Sequence, residues 1–114
     1  MTDPAWQAEE LELETRGRRS GRKHRVRLWF AHDDGVLWLR TDGDTDWLRN
    51  LEKAPDCVVR VGGRELRARY EPPADPAAAL KRLVALWRAK YGADWVQDWY
   101  VEHGREPVTL RLET

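Results

Sequence analysis

A chain of 114 residues with 41% apolar content has room for one domain around one core. Its 20 basic and 20 acidic residues cancel to a formal net charge of zero, which argues against a dedicated nucleic-acid binder. The lone cysteine, Cys57, excludes an internal disulfide framework and a multi-cysteine zinc site, and no apolar run approaches the ~18 residues of a membrane-spanning helix.

Together these features lead us to expect a cytoplasmic protein without a membrane partner. Residues 10–14 alternate polar and apolar with period two, as a half-buried strand does. Arg18-Arg19-Ser20-Gly21 reads as a turn, and residues 25–30 resume the alternation as a second strand. Asp33-Asp34-Gly35 carries a tight hairpin signal, with a third strand over residues 36–39. Residues 46–53 read as a short helix, with Asp44 or Thr45 able to cap it and Pro55 closing it. Residues 57–61 and 65–70 flank Gly62-Gly63 as a two-residue hairpin.

Asp75-Pro76 puts a capping acid before a first-turn proline, so a helix is expected from there to about Tyr91, ended by Gly92. Asp94 with Gln97 resembles a capping box and predicts a further helical segment through about Glu102. Residues 107–112 form the last strand. The sum is a mainly β (α+β) domain spanning residues 1–114. It is expected to be a six-stranded antiparallel split β-barrel, with a short helix after strand three and one or two helices before the last strand.

Charge along the first hairpin is segregated. Residues 16–27 carry seven basic residues and no acid, whereas residues 1–14 carry acids and no base. If the hairpin turns between Arg19 and Ser20, Glu14 faces Arg25 and Glu12 faces Arg27, while Leu13 meets Val26 and Leu11 meets Leu28. One register then satisfies both faces. This cross-strand pairing absorbs Arg25 and Arg27 but leaves Arg18, Arg19, Arg22 and Lys23 around Ser20-Gly21 without local acids. Those guanidinium groups, a serine hydroxyl and turn N–H groups suit a phosphate or carboxylate; the plain alternative is a solvated loop.

The segment Leu13-Glu14-Thr15-Arg16-Gly17-Arg18-Arg19-Ser20-Gly21 resembles the "TxGRxSG" signature of the deazaflavin (F420)-dependent nitroreductase and quinone-reductase family, within the FMN-binding split-barrel superfamily. Arg27-Leu28-Trp29-Phe30 is similar to that family's second strand, and Asp46-Trp47-Leu48-Arg49-Asn50-Leu51 with Ala54-Pro55 to its "WyxNLxxxP" helix. The resemblance covers about half the chain, residues 11–70. It implies that Arg18, Arg19, Ser20 and Gly21, helped by His24 or Arg25, would contact a cofactor phosphate. The start of the helix, with Trp47 and Asn50, would lie near the ring system. The implied cofactor is F420 or FMN. The implied chemistry is hydride transfer to a quinone, enone or nitro compound, in which the protein supplies orientation and exclusion of water. The stretch from Arg40 to Asp46 departs from the family, with Asp42, Asp44 and Asp46 where small residues, a lysine and glycines are usual.

No catalytic acid, base or nucleophile stands out. His24, His32 and His103 have no metal-ligand spacing, so no metal site is expected. Cys57 reads as a buried structural thiol. Trp87, Tyr91, Trp95 and Trp99 recur every fourth residue. They read as a face closing an open side of the barrel, or else as a stacking wall for a planar ring. Trp29, Trp38 and Trp47 could line a pocket or a homodimer face. The competing function is a cofactor-free small-molecule-binding or dimeric split-barrel protein.

Overall fold

The computed structural model describes residues 4–41, 45–92 and 106–113. A 3-10 turn at Pro4–Gln7 leads into β1 (Glu10–Arg16), β2 (Lys23–Trp29), β3 (Ala31–Asp33) and β4 (Val36–Thr41). Helix α1 (Asp46–Lys53) follows, then β5 (Asp56–Val61), β6 (Arg64–Tyr70), helix α2 (Pro76–Tyr91) and β7 (Glu106–Leu112). All strands join one antiparallel sheet in the order β2-β1-β5-β6-β7-β4-β3.

The order contains its own closure. β2 and β3 are the two edges, yet Phe30 alone separates them. Trp29 and Ala31 can be at most about 7.6 Å apart at two trans-peptide steps, so the sheet must curl until its edges meet. The result is a split barrel with seven strands rather than the expected six. Polar–apolar alternation holds through Leu28 and then gives way to the apolar run Trp29-Phe30-Ala31, within which the hydrogen-bonding partner changes at Phe30, from β1 to β4. Alternation encodes which face a side chain takes, not which strand lies beside it.

The first hairpin adopts the register that both faces demand: Glu14↔Arg25, Leu13↔Val26, Glu12↔Arg27 and Leu11↔Leu28. Leu11 and Leu13 join Phe30, Leu37, Leu39, Val59, Val108 and Leu110 in the barrel interior, where none is more than 1% exposed, while Val26 and Leu28 pack against them partly buried. α1 adds Trp47, Leu48 and Leu51 to the same cluster and plugs the barrel. The loop before α1 differs from expectation in one detail. Thr45 is the N-cap residue, but its hydroxyl pairs with the Thr41 hydroxyl at 2.6 Å rather than with a helix N–H.

α2 is bounded as its sequence demands. Asp75 accepts from the Ala78 N–H, Pro76 opens the first turn, and Gly92 takes a left-handed φ of 68°. The helix lies outside the barrel. Leu83, Val84 and Trp87 pack with Ala31, flanked by Trp29 and Trp38, in a second cluster. The ring of Tyr91 stacks on Trp29 with centroids 4.3 Å apart. Its hydroxyl accepts from the Phe30 N–H at 3.1 Å and donates to the Glu9 carbonyl at 2.6 Å. Lys90 Nζ donates to the Phe30 carbonyl at 2.8 Å. The last turn of α2 therefore clamps the residue at which the sheet's edges meet. The helical segment expected at residues 94–102, with Trp95 and Trp99, lies outside the described residues.

Candidate functional site

The turn joining β1 to β2 spans residues 17–22 and is closed by its own backbone. Gly17 N–H donates to the Arg22 carbonyl at 2.7 Å, and Gly21 N–H donates to the Gly17 carbonyl at 2.9 Å. Arg22 N–H donates to Ser20 Oγ at 3.1 Å, so Ser20 shapes the turn while its hydroxyl hydrogen stays available to another acceptor. Gly17 is required by close approach: a Cβ there would lie 3.0 Å from both the Arg22 carbonyl oxygen and the His24 ring. The imidazole thereby comes to rest against the turn.

Helix α1 holds the other wall. Asn50 is buried, and its Oδ1 accepts from the Arg18 N–H at 3.2 Å and from the Arg18 guanidinium at 3.1 Å. Its Nδ2 donates to Thr15 Oγ1 at 3.1 Å. One amide thus ties the helix to both the strand and the turn. Lys53 Nζ donates to the Arg18 carbonyl, and the Arg18 guanidinium reaches Asp46 at 3.3 Å. Between these walls lies a hollow of about 170 Å³ lined by Gly17, Arg18, Arg19, Ser20, His24, Asp46 and Asn50.

Arg18 is thus held in place by its neighbours. Arg19, in contrast, is exposed and makes no ion pair or side-chain hydrogen bond among the described residues. The N–H groups of Arg19 and Ser20 likewise have no acceptor among those residues. Among the described residues, the lining thus carries one guanidinium, one hydroxyl and two amide N–H groups left without acceptors, a donor set suited to an oxyanion.

Of the residues singled out in the sequence, Arg18, Arg19, Ser20, His24 and Asn50 converge on this hollow. Gly21 forms the turn's left-handed corner, at φ 72°, without lining the hollow. Trp47 sits buried in the barrel core. Arg25 is engaged on the sheet's outer face, where its Nε donates to Glu14 Oε1 at 3.1 Å. Arg60 donates to the same oxygen and to Glu12 Oε1, both at 3.1 Å, so Glu12 pairs with β5 as well as facing Arg27. Burial opposes ionisation of Glu14, but hydrogen bonds from Arg60 and Arg25 outweigh it and hold the carboxyl below its ordinary range.

Thr15 and Gly17 stand in the quoted signature without an assigned contact, and Asp46 was singled out only as an acid where the stretch before α1 departs from the family. For Asp46 a signal existed, since Asp46 and Asn50 are one helical turn apart and share a face of α1. Elsewhere, Cys57 is buried, its thiol donates to the Ala68 carbonyl, and burial first and the carboxylates of Asp56 and Glu113 second push it up to about 12. Among the described residues no group of three histidine, cysteine or acidic side chains could hold a metal ion. None of their helices is long and apolar enough to cross a membrane.

A family model described as "F420H(2)-dependent quinone reductase" matches residues 4–103. None of the curated proteins matches the sequence. Among solved structures, the chain is similar to an FAD-binding protein from Mesorhizobium loti, with a TM-score of 0.67 and 17% identity over 97% of this chain and 86% of that one. It is similar to a structure described as an F420 reductase, with a TM-score of 0.66 and 18% identity over 97% and 92%. The heme storage protein HutZ from Vibrio cholerae shares the fold with a TM-score of 0.76 and 13% identity over 94% and 83%.

Proposed function

The chain belongs to the F420H(2)-dependent quinone reductase family, and from that premise we propose that it uses a reduced deazaflavin, held by phosphate at the residue 17–22 turn, to reduce a small quinone. An enone or a nitro compound is the next acceptor class. The observation that carries the reading is the hollow of about 170 Å³ in which Arg19 has no partner among the described residues beside a fixed Arg18.

The donor set fits a phosphate. Arg19, the Ser20 hydroxyl and the Arg19 and Ser20 N–H groups would hold its oxygens, with His24 at the rim. Asn50 would act through Arg18, keeping the wall of the hollow in place before ligand arrives, so little ordering is left to the moment of binding. The bound cofactor supplies the hydride, while this chain binds, orients and shields. FMN presents a phosphate to the same donors and is the second cofactor expected here. The chemistry of the acceptor rests on family membership alone. A cytoplasmic homodimer is part of the same proposal, and sedimentation at high micromolar concentration tests the dimer.

Fluorescence titration with F420 and with FMN tests the cofactor reading. The protein is expected to bind at least one of them below tens of micromolar. Arg19→Ala is expected to weaken that binding roughly tenfold, the loss of one charge-assisted hydrogen bond. Absence of any spectral change with either cofactor refutes the proposal.

A further inference from the structure

The hairpin joining β3 to β4 turns on Asp34-Gly35, both at left-handed φ, 51° and 75°. In an Asp-Gly pair the main-chain nitrogen of the glycine meets little steric resistance on approaching the aspartate side chain, because glycine carries no Cβ. A Cβ built on Gly35 would meet nothing within 4 Å, so there is room beside that nitrogen. Asp34 is exposed, and its carboxyl has no ion pair or hydrogen bond among the described residues, whereas Asp33 next to it is held by Arg82 at 2.8 Å. Gly35 N–H donates to His32 Nε2 at 3.3 Å. The imidazole is fixed there by stacking on Trp6, with centroids 4.2 Å apart and 5° between the planes. Burial holds His32 below its ordinary range, against the pull of Asp33 and Asp34, so Nε2 keeps its lone pair at neutral pH.

We propose that His32 makes Asp34-Gly35 a self-modifying site, at which Asp34 converts to isoaspartate through a cyclic imide. His32 Nε2 takes the proton of Gly35 N–H as that nitrogen attacks Cγ of the protonated Asp34 carboxyl. The N–Cγ bond forms, the Cγ–OH bond breaks, and His32 returns the proton to the departing hydroxyl. Water is the leaving product, and nothing is oxidised or reduced. A second water then opens the imide. Opening at the main-chain carbonyl of Asp34 routes the backbone through its side chain and lengthens the turn by a methylene. The consequence falls on the edge strand β3. The longer turn no longer holds Asp33 opposite Val36, and the Gly35 carbonyl, which accepts from the Leu112 N–H at 2.9 Å, moves with it. This chemistry is independent of the cofactor reading.

The test incubates the whole chain in heavy-oxygen water at neutral pH. Peptide mass spectrometry then reads the solvent oxygen that each imide opening leaves behind. Asp42-Gly43, the other Asp-Gly pair of the chain, is the internal reference. His32→Gln should slow uptake at Asp34 roughly tenfold or more, as loss of a positioned proton carrier should, and leave Asp42 unchanged. In denaturing urea, where nothing holds the imidazole at the turn, wild type and variant should match. If the variant does not fold, the wild type still decides, because Asp34 is expected to take up oxygen faster folded than in urea. Uptake at Asp34 that is no faster in the folded wild type than in urea, or that the folded variant equals, overturns the proposal.

Discussion

Asn50 and Arg18 lie 32 positions apart in the chain, yet Asn50 Oδ1 accepts from the Arg18 N–H at 3.2 Å and from its guanidinium at 3.1 Å. With Nδ2 given to Thr15, this buried amide is the joint between α1, β1 and the turn. Everything proposed for the hollow depends on that joint, because it places the anion-facing turn against a helix that the barrel core already holds.

Asn50→Ala is expected to leave the buried Thr15 hydroxyl and the Arg18 N–H without partners. The cost is about 2–4 kcal/mol, read as a fall in melting temperature of roughly 8–15 °C. Cofactor affinity should fall more than in Arg19→Ala, because the wall itself is lost. A variant as stable as wild type would show that the amide is not the joint described.

Acid stability should report on Glu14. Its folded carboxyl titrates below the unfolded one, despite burial, because Arg60 and Arg25 donate to it. A group depressed on folding contributes stability that is fully present above the unfolded value, about 4.3. That contribution is lost as pH falls through the lower, folded value. Glu14→Gln should therefore be less stable than wild type at pH 7 and should lose less on acidification. Urea midpoints from pH 7 to pH 3 measure the difference, and parallel curves would remove Glu14 from the account.

Alkaline stability should report on the clamp at Phe30. Burial lowers Lys90 to about 8, with Glu9 opposing. Burial raises Tyr91 to about 12, opposed by its hydrogen bond with Phe30 and aided by Glu9 and Glu10. Between pH 8 and the unfolded lysine value of about 10.4, the unfolded chain binds more protons at Lys90, so this group makes stability rise with pH. From about 10 upward the folded chain binds more at Tyr91, so stability falls. Lys90→Met should abolish the rise and keep the fall. Tyr91→Phe should lose the fall and speed amide exchange at Phe30, whose N–H donates to that hydroxyl. Both are read by chemical denaturation from pH 7.5 to 11 and by hydrogen exchange; a flat profile in wild type would refute the assignment.

Much of the site was legible because it is local. The hairpin from β1 to β2 could be registered from sequence, since Glu12 and Glu14 needed Arg27 and Arg25 on one face while Leu11 and Leu13 needed Leu28 and Val26 on the other. The same reasoning left over Arg18, Arg19, Arg22 and Lys23 around Ser20 at the turn, although Lys23 reaches Glu14 at 4.0 Å. It could not divide them. Arg18 is taken up by Asn50 and Asp46, and Arg19 has no partner among the described residues, because α1 packs against one side of the turn. Nor could it show that Arg60 would reach across from β5 to Glu12 and Glu14, since the alternation in β5 states a face and not a neighbour.

Local chemistry alone therefore determined the alternating strands, the Asp34-Gly35 and Gly62-Gly63 hairpins, the ends of α2 and the cationic turn. Period-two patterning, positive-φ glycines and capping side chains act within a few residues, so their consequences can be read along the chain. Tertiary packing alone decided that the second strand divides at Phe30, that the sheet's edges meet there under Tyr91 and Lys90, and that Asn50 reaches Arg18. Those outcomes depend on which surfaces lie together after the core has formed, and side-chain pattern along a strand carries no record of the partner across the hydrogen bonds.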